Sequence, residues 1–201
     1  LLADALAREG NKVAELRAGD ASGALALHQA CLEVALDPGR SVLVCGVEKL
    51  TDVMAPEVER VGMLFEDARS TFHSGITIPG LCALLTNLYM ASSGASYEDI
   101  VLFAVNDHSN AANNPYAQYP FPISVEAVLR SPPVADPVRL FDTPGIGDGA
   151  AALVLSGPEG PLVKEADTPV FILASEVANG RANLPEREDP LSLSSLRSAA
   201  E

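Results

Sequence analysis

The chain has 201 residues and a formal net charge of −14, from 13 Lys and Arg against 27 Asp and Glu. This length allows one good hydrophobic core, and the acidic balance disfavours nucleic acid or an anionic membrane as a partner. Hydrophobic residues make up 48% and charged residues 20%, which excludes a disordered chain. The longest apolar runs are shorter than the roughly 18 to 20 residues of a membrane span, so we expect no membrane segment.

The three cysteines, Cys31, Cys45 and Cys82, are widely spaced and form no CxxC pair. This spacing favours neither a disulfide framework nor a zinc site, and it fits a reducing cytoplasm. The first residues show no pattern typical of a secretory signal. They have the composition of a helix and lack an initiator Met, so we expect the chain to begin within a fold.

The first third of the chain predicts an α/β arrangement. Residues 1–9 are rich in Ala and Leu and predict a helix that ends before Gly10. The alternation over residues 12–17 predicts a strand, which a small-residue turn joins to a helix over residues 24–36. The apolar run over residues 41–47 predicts a strand covered on both faces. Together these elements predict one strand–helix–strand unit over residues 12–47.

The rest of the chain does not repeat this strand–helix–strand pattern. Residues 50–135 predict an inserted subdomain, with one helix near residues 81–90, a second from Tyr97 to His108, and turns rich in Asn and Pro. Strand patterns return at residues 138–142, at residues 149–155 as a buried strand, and at residues 170–177; a final helix is predicted over residues 193–201.

Asp20 lies in the predicted turn between the first strand and its helix. One interpretation is structural, because Asp and Ser are favoured as helix caps and either Asp20 or Ser22 fits that role. The other is functional, because strand-to-helix junctions in α/β sheets face the ligand crevice. The residue type leaves both interpretations open.

Other motifs favour structural roles. His28, His73 and His108 are isolated, with no second His at metal-ligand spacing, so we expect structural or exposed histidines and no metal site. No GxSxG elbow or GxxxxGK[ST] loop occurs, which excludes the simplest hydrolases and nucleotide phosphatases. The glycine-rich residues 145–149 precede a strand, whereas a phosphate cradle precedes a helix, so they predict a turn.

Five segments, in this order and spacing, resemble the thiolase superfamily, specifically its archaeal and sterol-carrier type. The similarity covers nearly the whole chain. The segments are residues 20–23 (DASG, similar to the family's CASG), 42–51 (VLVCGVEKLT, similar to its strand ending in GxE), 106–118 (NDHSNAANNPYAQ, similar to NHxNA and NPxAQ), 131–137 (SPPVADP), and Asp142 with 148–152 (DGAAA).

The resemblance implies an α/β fold: a layered α/β/α architecture with a mixed, mainly parallel sheet and an inserted loop domain. Residues 1–49 and 138–158 would form the amino-terminal half, incomplete at its start. Residues 50–137 would form the loop domain, and residues 159–201 the truncated start of the carboxy-terminal half. The family's remaining catalytic segments lie in that second half, so we expect either part of a longer protein or a split subunit completed by another chain.

The resemblance also implies an activity, that of a cytoplasmic acyl-CoA acyltransferase of the acetyl-CoA C-acetyltransferase class, working in lipid metabolism. Its substrate would be a coenzyme A thioester, with no covalently bound cofactor. Residues 72–75 (FHSG) resemble the loop-domain HMG segment that lines the pantetheine arm, which implies CoA-binding roles for His73, Ser74 and Gly75, with Ser74 in place of Met.

Asp20 occupies the position of the family's nucleophilic Cys. A helix amino end activates a thiol, but it only stabilises a carboxylate that is already ionised, so we expect this chain alone to be inactive in ordinary acyl transfer. The alternative is a subunit without Claisen chemistry, either a CoA-thioester aldolase or a non-catalytic acyl-CoA-binding partner. The resemblance implies a homodimer or higher homo-oligomer, and a possible partner with an OB-fold and a zinc ribbon.

Overall fold

A computed structural model describes residues 12–67, 71–162, 168–181 and 183–201, so the helix predicted for residues 1–9 lies outside the described residues. In chain order the helices are α1 (Ser22–Leu36), α2 (Ala55–Gly62), α3 (Ile78–Ser93), α4 (Tyr97–Ala111), α5 (Val125–Arg130) and α6 (Ser194–Ala200). The strands are β1 (Ser41–Glu48), β2 (Pro133–Ala135), β3 (Val138–Arg139) and β4 (Gly149–Ser156). No helix in the described ranges is long and apolar enough to cross a membrane.

The described residues fall into two compact units. One holds the residues up to Glu48, those of Gly149–Ala178, and Ser198–Glu201; the other holds Lys49–Asp148 and Asn179–Arg197. In the first unit β1 pairs antiparallel with β4 over eight residue pairs, from Ser41 opposite Ser156 to Glu48 opposite Gly149. Helix α1 packs on this ribbon, and its Ala30 is buried.

Several sheet predictions are therefore wrong or unconfirmed. Within the described ranges every strand pair is antiparallel, so the mainly parallel layered sheet is not confirmed. Residues 12–17 form no strand, and the strand–helix–strand unit is absent; their charged side chains give no apolar face to bury, and Arg17 pairs locally with Glu15. Residues 170–177 form no strand either. The strand β4 is correctly placed, but it is exposed over most of its length rather than buried.

The second unit is mainly helical. Its core is formed where α4 and α5 pack together around the fully buried side chains of Val101 and Val128. A capping box begins α4, because the Ser96 hydroxyl accepts from the Asp99 amide and the Asp99 carboxylate accepts from the Ser96 amide. The predicted strand over residues 138–142 is only two residues long, at β3, and continues as the 3-10 helix Leu140–Asp142.

Two loops of the second unit are fixed by long-range contacts. The Asp148 carboxylate accepts hydrogen bonds from the amides of Leu50 and Thr51, at 2.9 and 3.0 Å, and from the Thr51 hydroxyl at 2.6 Å. A Cβ at Gly145 would come within 2.5 Å of the Gln118 amide oxygen, so a larger residue there would force the Gln118 side chain to move. The turn predicted for residues 145–149 is not observed: residues 144–148 form an irregular segment that leads into β4, and Gly149 is the first residue of that strand.

Candidate functional site

The turn that carries Asp20 precedes α1 and has a defined backbone. Gly19 has a φ of +56°, a conformation that favours glycine. The Ala21 amide donates to the Ala18 carbonyl at 3.1 Å, and the Ser22 amide donates to the Gly19 carbonyl at 3.0 Å. Two consecutive turn hydrogen bonds thus place residue 20 at the apex.

The Ser22 side chain closes the same turn. Its hydroxyl accepts from the Ala18 amide at 2.8 Å and donates to the Gly19 carbonyl at 2.6 Å. The cap position of α1 is taken by Ala21, and no described side chain caps the helix. The capping interpretation of Asp20 and Ser22 is therefore wrong. Asp20 is exposed, and its carboxylate has neither a hydrogen bond nor an ion pair among the residues that the structure describes.

The predicted CoA segment forms a short helical turn in the second unit. His73 and Ser74 lie in the 3-10 helix Phe72–Ser74, and Gly75 ends it with a φ of +77°. The Ser74 hydroxyl donates to the Thr71 carbonyl at 2.6 Å, so it is committed to the backbone. His73 is exposed, and the space where a Cβ of Gly75 would lie is open. His73 and the backbone at Gly75 are therefore the accessible groups of this segment.

A buried hydrogen bond anchors that segment. The Thr71 hydroxyl donates to the Asn183 side-chain oxygen at 2.8 Å. Thr71 is 6% exposed and Asn183 is 7% exposed, so water has little access to either group. Because the two residues are separated by 112 positions, this contact ties the beginning of the 3-10 helix to a distant part of the chain.

A group of titratable side chains in the second unit has no counterpart in the sequence predictions. The Tyr97 hydroxyl donates to the Asp142 carboxylate at 3.0 Å. Burial raises the pKa of Asp142 even though this hydrogen bond lowers it. Burial and the negative charge of Asp142 raise the pKa values of both Tyr97 and Cys82. Tyr97 and Asp142 are 45 residues apart and share no motif, so no local signal pairs them.

Two histidines have structural surroundings, as predicted. Nδ1 of His28 lies 2.9 Å from the Ser175 hydroxyl. His108 is buried against the rings of Tyr119, Phe121 and Phe141, with Nδ1 3.3 Å from the Phe121 carbonyl. In the described ranges no group of three or more His, Cys, Asp or Glu side chains is placed to hold a metal ion.

Known proteins similar to this chain are thiolase-like. The chain is 38% identical to the acetyl-CoA acetyltransferase of Methanothermobacter thermautotrophicus over 174 residues, which is 87% of this chain and 45% of that protein. The acetyl-CoA acetyltransferase of Methanocaldococcus jannaschii is 39% identical over 92% of this chain and 47% of its own length. The benzoylsuccinyl-CoA thiolase subunit BbsB of Thauera aromatica is 34% identical over 79% of this chain and 40% of its own length. No family model matches the sequence.

The fold agrees with that similarity. The structure of an Ltp2-ChsH2(DUF35) aldolase superposes with a TM-score of 0.68 at 23% identity, over 89% of this chain and 47% of that chain. The chain belongs to the thiolase superfamily. It spans about half the length of the curated relatives that it matches.

Proposed function

We propose that this chain is part of a thiolase-like acyl-CoA acyltransferase of the acetyl-CoA C-acetyltransferase class. The observation that carries the proposal is 38–39% identity to two archaeal acetyl-CoA acetyltransferases over 87–92% of the chain. The substrate is a coenzyme A thioester, with no covalently bound cofactor. In this proposal the exposed carboxylate of Asp20 faces the thioester from the turn before α1.

The CoA arm is proposed to bind at His73, Ser74 and Gly75. The exposed imidazole of His73 can donate a hydrogen bond to a phosphate or amide oxygen of the CoA arm. The open space at Gly75 admits an extended chain close to the backbone. Ser74 contributes by holding the shape of this turn, because its hydroxyl donates to the Thr71 carbonyl.

A second candidate is a protein without Claisen chemistry, either a CoA-thioester aldolase or a non-catalytic acyl-CoA-binding subunit. The observation that favours it is Asp20 itself. A carboxylate is a much poorer nucleophile toward a thioester than a thiolate, but it is a competent proton acceptor. Aldol cleavage needs a base and forms no acyl-enzyme, which suits a carboxylate. The structural neighbour is itself named an aldolase.

The finer architecture is also proposed. Residues 1–49 and 138–158 would build one half of a layered α/β/α fold with a mainly parallel sheet, residues 50–137 its loop domain, and residues 159–201 the start of a second half. The exposed apolar side chains of Leu43, Val47 and Val154 on the β1–β4 ribbon support this, since they need a covering layer. We also propose a cytoplasmic homo-oligomer and a possible OB-fold and zinc-ribbon partner.

The activity test uses the natural full-length protein with acetoacetyl-CoA and free CoA. If it is an acyltransferase, it cleaves acetoacetyl-CoA, Asp20→Ala abolishes cleavage, and Asp107→Ala, which removes an exposed carboxylate of α4, does not. Absence of cleavage in the unsubstituted protein, with cleavage gained in Asp20→Cys, would favour the second candidate. Absence of any acetyl-CoA-dependent thermal stabilisation would overturn both, because a ligand at 100 times its Kd stabilises by about 2.7 kcal/mol.

The CoA segment has a matched control within the chain. Gly75 and Gly94 have φ values of +77° and +75°, and a Cβ at either would meet open space. Alanine should therefore strain both backbones about equally. We expect Gly75→Ala to weaken acetyl-CoA binding in a calorimetric titration, and Gly94→Ala to lower only the melting temperature. Equal affinities in the two variants would remove Gly75 from the proposed site.

A further inference from the structure

We infer that the Ser22 hydroxyl is a positioning group that holds residue 20 at the amino end of α1. The inference deepens the proposed function and rests on it, since residue 20 is there the group that faces the thioester. It is carried by the hydrogen bonds of the turn and needs no contact with a ligand.

The Ser22 hydroxyl closes a ring around residue 20. As an acceptor it binds the Ala18 amide, and as a donor it binds the Gly19 carbonyl, at 2.8 and 2.6 Å. These two residues immediately precede Asp20, and Ser22 is the first residue of α1. The hydroxyl therefore joins the backbone before residue 20 directly to the helix that follows it.

No other described side chain can take over this task. Asp20 is exposed and makes no hydrogen bond among the described residues, and Ala21 at the cap position has no side-chain acceptor. Without the hydroxyl, two backbone hydrogen bonds would still bridge the turn. However, the Ala18 amide would lose this acceptor, and the carbonyl of the left-handed Gly19 would lose one of its two donors.

The position of residue 20 matters because the field of a helix end acts over a short range. It falls off within the first turn, so a side chain that swings away from the amino end loses it. A thiol placed at position 20 reports this field, because the field favours the thiolate form. In the natural chain Ser22 would set where the carboxylate of Asp20 lies relative to the helix end and to the thioester.

The experiment measures that field with a thiol probe in the full chain. Asp20→Cys introduces a thiol at position 20, and its pKa is obtained from iodoacetamide alkylation against pH, read peptide by peptide by mass spectrometry. Cys31 lies on the same helix and is the internal control. We expect the pKa at position 20 to lie below the usual value of about 8.5. Adding Ser22→Ala should raise it by about half a pH unit, a roughly threefold loss of thiolate at pH 7.

Two further variants separate positioning from simple stabilisation. Thr keeps the hydroxyl and Val replaces it with a methyl group at the same shape, so Ser22→Thr should retain the low pKa and Ser22→Val should lose it. This pair decides the question even if Ser22→Ala unfolds. A merely structural Ser22 would change the melting temperature and leave the pKa at position 20 unchanged, which would overturn the inference. Equal pKa values in the Thr and Val variants would do the same. A Ser22-dependent shift in a protein that binds no acetyl-CoA would overturn the proposed function alone.

Discussion

The buried hydrogen bond between Thr71 and Asn183 allows a direct test of what holds the CoA segment in place. Thr71→Val removes the donor hydroxyl and keeps the shape of the side chain. The Asn183 oxygen then loses this donor at a site where water has little access, since both residues are under 10% exposed. Removing one partner from a buried hydrogen bond costs about 1–3 kcal/mol.

That cost corresponds to a measurable change in stability. For a chain of this size, 1 kcal/mol shifts the melting temperature by about 2–4 °C, so we expect Thr71→Val to melt roughly 4–8 °C lower for a loss near 2 kcal/mol. Urea unfolding followed by far-ultraviolet circular dichroism gives the free energy of unfolding. The denaturant slope should stay unchanged, because the substitution alters stability and not the surface exposed.

Thr86→Val is the matched control. The Thr86 hydroxyl donates to the Cys82 carbonyl at 2.9 Å on the exposed side of α3, so the same chemical change occurs where water can replace the bond. We expect an effect within about 0.5 kcal/mol. If Thr71→Val costs no more than Thr86→Val, the buried hydrogen bond does not anchor the segment and the reasoning fails.

Two carboxylates should respond to pH in opposite directions. Burial raises the pKa of Asp142, so folding favours its protonated form and its contribution to stability is lost as the pH rises through the raised pKa. In urea unfolding at pH 7, the Asp142→Asn variant should therefore be more stable than the unsubstituted chain. This gain in stability should vanish below the ordinary pKa of Asp. Equal stability of the two proteins at pH 7 would contradict a buried charge at Asp142. Hydrogen bonds from Thr51 and Leu50 lower the pKa of Asp148. Its contribution to folding stability is therefore present above the ordinary pKa of Asp, and it is lost as the pH falls through the lowered pKa. Asp148→Ala should unfold at lower urea at pH 7 but match the unsubstituted chain near pH 2, and a deficit that persists in acid would point to packing instead.

Local patterns predicted the elements that local forces specify. The helices α1 and α4 are confirmed, since their limits follow from turn residues at residues 18–23 and 37–39 and from the capping box at Ser96. The position of strand β1 is confirmed because its apolar run marks it without knowledge of its partner, but the predicted cover on both faces is not observed, since Leu43 and Val47 are exposed. The thiolase resemblance is confirmed because it rested on several motifs in order, not on any one element.

The failures come from contacts that are distant in sequence. A strand at residues 12–17 or 170–177 needs a neighbouring strand to complete its hydrogen bonds, and alternation alone does not supply one. The antiparallel partner of β1 lies beyond the whole second unit, so the direction of pairing was not readable from β1 itself. The hydrogen bond between Tyr97 and Asp142 likewise joins residues that are distant in sequence, so no local pattern predicted it. The domain bounds and the roles of Asp20, His73, Ser74 and Gly75 stay predictions.

The β1–β4 pairing also bears on the order in which the chain can fold. Glu48 and Gly149 are paired neighbours, yet the residues between them number about one hundred. Bringing such distant strands together as an open loop is entropically costly and slow. The Asp148 carboxylate, bound to Leu50 and Thr51, holds the two ends of that loop together from within the second unit. Once those contacts form, β1 and β4 meet almost as the two arms of a hairpin, so early folding of the second unit would speed formation of the ribbon.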